Sequence, residues 1–250
     1  NIFRELGTTH HTSFYYGGNL EFANIKVLFN DADYVKSEPD FNSSNTNAWG
    51  VHDEVVFDEF FKDFENESKP QFKMLFSLSS HEPFDVPHYS KKSDAYLNSI
   101  SYTDSCLGIL IEKLKASDKW NNTLLIITAD HGTVRPDNAA IYDKTNFRIP
   151  MVLTGGKVLK DTVIHDAVSQ GDIPATILKY KTGKNPFLYQ QSILEPSGVA
   201  FYSYYIGLAC IQNQCDQYYD FAQKKYFKNE CDQPFEKAYY QLSNSYFFNN

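Results

Sequence analysis

The chain has 250 residues, 42% of them hydrophobic, 22% charged and 16% aromatic, which is long and apolar enough for a folded core and argues against disorder. Its formal net charge is −8, with no run of Lys or Arg long enough to follow a phosphate backbone, so nucleic acid is excluded as an expected partner. No segment approaches the roughly 20 apolar residues that cross a bilayer; the first residue is Asn1 rather than Met, so a processed or partial chain is expected.

Residues 1 to 6 read as the end of a helix stopped by Gly7, and "TSFYY" (12 to 16) as a short strand closed by Gly17 and Gly18. Residues 30 to 50, rich in Asn, Asp and Ser, read as a surface excursion ending at Trp49 and Gly50. In "HDEVVFDEFFKDFEN", Val55, Val56, Phe60 and Phe64 fall at helical spacing, with Asp53 placed to cap the start. "FKMLFSLSS" (72 to 80) is an almost continuous apolar run, as expected of a strand buried on both faces. From Ser90 to about Ala116, the residues Tyr96, Ile100, Leu107, Ile111 and Leu114 trace one helical face.

A strand is predicted at 124 to 128 and another at 149 to 154, followed by a helix over 172 to 183 opened by Asp172 and Pro174. This alternation predicts an α/β domain with a largely parallel sheet, whose strands carry the chemistry at their C-terminal ends. From Val199 the pattern changes to short aromatic segments, which predicts a small antiparallel subdomain over 199–250 appended to a core of 1–198. Cys210, Cys215 and Cys231 cluster there, and one disulfide is the expectation in an exported protein; zinc is the rival reading, without a paired Cys or His motif behind it. Cys106 falls in a helical pattern and reads as a small buried hydrophobe.

Two apolar strands end in polar residues: His81 after "FSLSS", and Asp130 with His131 after "LLIITA". Gly132 permits the turn that lets a carboxylate and an imidazole reach one ion, and mixed oxygen and nitrogen donors suit Zn²⁺ or Mn²⁺ better than Ca²⁺. Taken alone, a strand ending in Asp and Gly is more often just a turn, and a lone histidine such as His81 is more often a hydrogen-bonded loop residue.

The order of segments adds to this. "FSLSSHEPFDVP", then "YLNSISYTDSCLGILIEKLKASDKWNNTLLIITADHGT", then "FRIPMVLTGG", then "SQGDIPATIL" resembles the alkaline phosphatase and sulfatase superfamily over residues 1 to about 195. Within it, the chain is most similar to the lipoteichoic acid synthase type of phosphoglycerol transferases. The tail, with "YYDFAQKKYF" and "DQPFEKAYYQL", also resembles the C-terminal hairpin region of sulfatase-like proteins.

The resemblance implies an extracytoplasmic, metal-dependent phosphotransferase acting on a lipid head group or a sugar or polyol phosphate. It implies one divalent metal ion (Mn²⁺, Mg²⁺ or Zn²⁺) held by Asp130 and His131, with His81 touching the substrate phosphate or acting as an acid. Arg135 is a weaker candidate for pairing with the anion. His165 has only its position in favour of a role, and His10 and His11 are expected to face solvent.

Two departures from the family pattern matter. The family's threonine nucleophile and a further acidic ligand lie upstream of the "GG" segment, which here would precede Asn1; Thr8, Thr9 and Thr12 stand too close to Gly17 to replace it. The expectation is therefore a domain lacking its first portion, inactive alone, in a parent protein anchored in the cytoplasmic membrane. The family segment "HGGNxxFWNR" is "YGGNLEFANI" here, so Tyr16, Ala23 and Ile25 stand at the His, Trp and Arg positions and phosphatidylglycerol is in doubt as donor.

Three functions remain open on this reading: the phosphotransferase, a sulfatase or phosphodiesterase hydrolase on the same fold, and a non-catalytic binding relative. No cysteine precedes an x-P-x-R pattern, and "DHGTVRPD" replaces the "DHGxSLGE" of phosphoethanolamine transferases.

Overall fold

The computed structural model describes residues 1–133, 139–158, 160–187 and 190–231. Two compact units emerge: Asn1–Leu124 with Gly155–Lys157, and Leu125–Thr154 with Val158–Asn250.

In the first unit, helix α1 (Ile2–Gly7) is capped by Asn1, whose side chain accepts the Phe3 N–H at 3.0 Å. Strand β1 (His11–Tyr16) follows, then the short α2 (Ile25–Leu28), β2 (Tyr34–Lys36) and the two-residue strands β3 (Thr46–Asn47) and β4 (Gly50–Val51). Helix α3 (Asp53–Asn66), strand β5 (Gln71–Phe76) and helix α4 (Ala95–Ala116) complete the unit's regular elements. The sheet has the order β2-β1-β5, with β1 parallel to both neighbours and Phe14 in register with Val35 and Met74.

Side chains alternate across β1, so its two faces feed two layers. Phe14 and Tyr16 join Phe3, Phe29 and Leu78 on one face. On the other, Tyr15 meets Phe60 of α3 at 5.2 Å between ring centroids, and its hydroxyl donates to Asp63 at 2.9 Å. Helix α3 in turn packs on α4.

Three expectations are corrected here. Residues 30 to 50 are not only a surface excursion, because Tyr34–Lys36 forms an edge strand on β1. All six residues of β5 are half-buried rather than buried on both faces, since β5 pairs with β1 alone among the described residues. Asp53 does not cap α3: His52 occupies the cap position, and the wholly buried Asp53 is the first helical residue.

In the second unit, β6 (Leu125–Thr128) pairs antiparallel with β7 (Met151–Thr154), and α5 (Asp172–Thr182) ends at Gly183 in the left-handed conformation. Strands β8 (Val199–Tyr204), β9 (Gly207–Gln212), β10 (Asp216–Asp220) and β11 (Lys225–Asn229) form an antiparallel sheet in sequence order, matching the small antiparallel element expected after residue 198. A Cys215–Cys231 disulfide joins the residue before β10 to the second residue after β11, while Cys210 and Cys106 are buried outside it.

Candidate active site

In the first unit the candidate residues gather where β1 and β5 end. The backbones following β1 and entering β4 cross in direct contact: Val51 N–H donates to Gly17 O at 2.8 Å, and a Cβ on Gly50, whose φ is 139°, would lie 2.1 Å from Gly17 O. Only glycine fits there. This crossing sets Trp49 beside the loop that leaves β5, where its ring meets His81 at 4.3 Å and Phe22 at 5.1 Å between centroids.

His81 is exposed, on a turn closed by its N–H to Leu78 O at 3.0 Å. Its Nδ1 lies 2.8 Å from Glu82 O. A carbonyl can only accept, so Nδ1 carries the proton; Nε2 is then an acceptor in the neutral ring and a donor in the imidazolium. An acceptor such as a phosphoryl oxygen would bond only to the second form.

In the second unit, β6 ends at Thr128, whose hydroxyl donates to Pro150 O at 2.9 Å and fixes the strand end against the chain entering β7. Asp130 and His131 follow, with side chains 70% and 77% exposed. Asp130 Oδ1 accepts the His131 N–H at 2.9 Å, and His131 Nδ1 donates to Gly132 O at 2.7 Å. That second bond places the proton on Nδ1 and leaves the Nε2 lone pair 3.6 Å from Asp130 Oδ2.

Two ligands of one ion at bond lengths of roughly 2.1 Å stand about this far apart, so the pair fits half of a divalent metal shell. Among the described residues, no group of three or more His, Cys, Asp or Glu side chains gathers to complete it. Glycine is required at 132 by close approach: a Cβ there would lie 1.9 Å from Asn146 O.

Gln170, just before α5, donates from Nε2 to Ala129 O and Asp130 O, both at 2.8 Å, and so braces the backbone carrying the pair. Sequence alone assigns no role in the site to Gln170, inside "SQGDIPATIL", or to Trp49, at the end of the 30 to 50 excursion, because each acts on a residue tens of positions away. Arg135 lies outside the described residues. His11 departs from expectation: it is half-buried, and its Nδ1 pairs with Glu67. Thr12 is buried in β1 with its hydroxyl donating to Asp33, consistent with a strand residue.

The sulfatase family model matches residues 6–182, and the chain belongs to that family. A phosphoglycerol transferase I of Xanthomonas campestris is 25% identical over 144 residues, which are 53% of this chain and 20% of that protein. A lipoteichoic acid synthase-like protein of Bacillus subtilis is 21% identical over 68% of this chain and 32% of its own length. The chain thus spans a fifth to a third of these relatives. A crystal structure of an alkaline phosphatase superfamily protein from Vibrio parahaemolyticus superposes with a TM-score of 0.81 at 24% identity, over 99% of this chain and 68% of that one. The lipoteichoic acid synthase LtaP of Listeria monocytogenes gives 0.74 at 20% identity, over 98% of this chain and 72% of that one. At these identities the superpositions establish the alkaline phosphatase-like fold.

Proposed function

We propose that this chain belongs to the catalytic part of a metal-dependent phosphotransferase that acts on a lipid head group or a sugar or polyol phosphate outside the cytoplasmic membrane, its residues 1–198 contributing to the catalytic core. The observation that carries the reading is the Asp130 and His131 pair, with Oδ2 and Nε2 at 3.6 Å and the imidazole proton turned away onto Gly132 O. The names of the relatives supply the phosphotransferase class.

Asp130 and His131 are the residues that would hold a divalent ion, which when bound lowers the pKa of a hydroxyl nucleophile and offsets charge on a phosphoryl oxygen. The chain's own contributions are separate from that. Asp130 supplies anionic oxygen, and His131 supplies a neutral nitrogen whose tautomer the Gly132 carbonyl fixes. His81 donates from Nε2 to a phosphate oxygen, or passes that proton to the departing alkoxide. The nucleophile is assigned to a segment outside residues 1–250. The Cys215–Cys231 disulfide supports an oxidising, extracytoplasmic location. Among the described residues no helix is long and apolar enough to cross a membrane.

The test compares this chain with the parent protein extended towards its N-terminus, measuring bound Mn²⁺, Mg²⁺ and Zn²⁺ together with turnover of phosphodiester head groups and of aryl sulfates. The expected result is metal-dependent phosphodiester turnover in the extended protein, lost in Asp130→Ala and His131→Ala, while His81→Ala lowers turnover with metal content unchanged. Metal content and turnover unaffected by Asp130→Ala and His131→Ala would overturn the reading, and preferred sulfate ester cleavage would move it to a hydrolase.

A further inference from the structure

The antiparallel sheet of the second unit has two unlike ends. At one end the Cys215–Cys231 disulfide joins β10 to the residue region following β11. At the other, the β8–β9 and β10–β11 turns lie side by side. Phe221 N–H donates to Ile206 O at 2.8 Å, and the Tyr204 hydroxyl donates to Tyr219 O at 2.9 Å, so the two turns form one tied surface.

The residues on that surface are unusual for turns. Two-residue hairpin loops ordinarily use Asn, Asp or Gly, whose backbones suit the turn and whose side chains suit water. Here the β8–β9 loop is Tyr205-Ile206, with Tyr205 95% exposed and Ile206 also exposed, and Phe221 is exposed on the neighbouring turn. Lys224 and Lys225 follow, both exposed. No Asp or Glu occurs in residues 203–207 or 221–225, and the adjoining Asp220 is buried, with Oδ1 accepting the Gln223 N–H at 2.8 Å. A protein of net charge −8 thus presents a small cationic and aromatic tip.

We propose that this paired tip docks the protein peripherally on an anionic lipid surface. The chemistry fits one occupant. Tyrosine and a large aliphatic residue partition into the headgroup region with the phenol oxygen in water, while lysine stems reach past them to headgroup phosphates. Local positive charge is what an otherwise acidic protein needs to approach such a surface. A protein partner would bury the apolar residues equally well but would not respond to lipid charge. Vesicle binding requires neither metal nor turnover, and the tip variants separate docking at this tip from head-group recognition at the candidate active site.

The experiment is co-sedimentation of the 250-residue chain with vesicles of phosphatidylglycerol and phosphatidylcholine, against vesicles of phosphatidylcholine alone, near 0.1 M salt. Wild type is expected to bind the anionic vesicles and not the neutral ones. Lys224→Gln with Lys225→Gln should weaken binding about 25-fold, since each lysine near an anionic surface contributes about five-fold. Tyr205→Ser with Ile206→Ser should abolish binding while the far-ultraviolet circular dichroism stays that of the wild type. Lys160→Gln with Lys184→Gln removes the same charge elsewhere and should leave binding intact. Absence of wild-type binding overturns the proposal, as does equal binding by the tip variants or an equal loss in the Lys160 and Lys184 control.

Discussion

Asp53 and Ser79 bind each other twice: the Ser79 N–H donates to Asp53 Oδ1 at 3.1 Å, and the Asp53 N–H donates to Ser79 Oγ at 2.9 Å. The same Oδ1 accepts the Leu78 N–H at 2.7 Å, and Oδ2 accepts the Thr103 hydroxyl at 2.6 Å. One wholly buried carboxylate therefore ties the start of α3, the middle of α4 and the loop that carries His81. Replacing it with Ala strands two backbone N–H groups and a hydroxyl, so Asp53→Ala should lose about 3 to 5 kcal/mol in urea unfolding. Asp53→Asn should recover part of this, because its amide oxygen still accepts. An alanine variant as stable as wild type would remove Asp53 from this role.

Asp33 offers a test by pH. Its carboxyl is held below the usual carboxylate range, first by the Thr12 backbone N–H at 2.8 Å and then by the Thr12 hydroxyl at 2.9 Å. A folded-state value below the unfolded one stabilises the fold above the unfolded value, near 4, and that contribution disappears as pH falls through the lower folded value. The stability gap between wild type and Asp33→Asn should thus be widest near neutral pH and begin to narrow as pH falls below about 4. A gap that stays constant from pH 7 to pH 3 contradicts this.

Cys106 lies in the core on α4, and burial pushes its thiol up to about 11. At pH 8 only on the order of one molecule in a thousand carries the thiolate, the form that reacts. Iodoacetamide should therefore modify Cys106 in urea and leave it untouched in the folded protein, as read by peptide mass. Rapid modification without denaturant would show that α4 opens locally.

Much of the fold is legible because its signals are local. The apolar runs at 72 to 80 and 124 to 128 announce strands from a few neighbouring residues each, although the first of these strands stops at Phe76. What escaped the sequence depends on partners far along the chain. Asp53 carries the residue type of a helix cap, but its acceptors are spent on residues about 25 and 50 positions away. Tyr34–Lys36 is too short to show a period, and only pairing with β1 makes it a strand. The Asp130 and His131 pair was readable as a motif, whereas the bond that sets its tautomer, from His131 Nδ1 to Gly132 O, is a matter of side-chain geometry.

Gly132 lets the chain that carries the pair lie against the backbone of Asn146. A Cβ there would lie 1.9 Å from Asn146 O, which belongs to backbone and cannot yield cheaply. Gly132→Ala should therefore displace His131 and lower Mn²⁺ affinity by at least about tenfold, measured by titration on the parent protein. Unaltered affinity would mean that the close approach of Gly132 to Asn146 is not what holds the pair.

Gln170 tests the same pair from behind. Its Nε2 donates to the carbonyls of Ala129 and Asp130, both at 2.8 Å, without touching either candidate ligand side chain. Gln170→Leu removes both bonds from an exposed position, so global stability should change by less than about 1 kcal/mol. Metal affinity should still fall about 10- to 100-fold, as it does when supports behind metal ligands are removed. Gln170→Glu should do the same, because a carboxylate cannot donate to two carbonyls. If both variants bind Mn²⁺ like wild type while Asp130→Ala does not, the ligand pair holds its geometry without this brace. If Asp130→Ala also binds like wild type, the metal assignment itself falls, and the two results separate a wrong support from a wrong site.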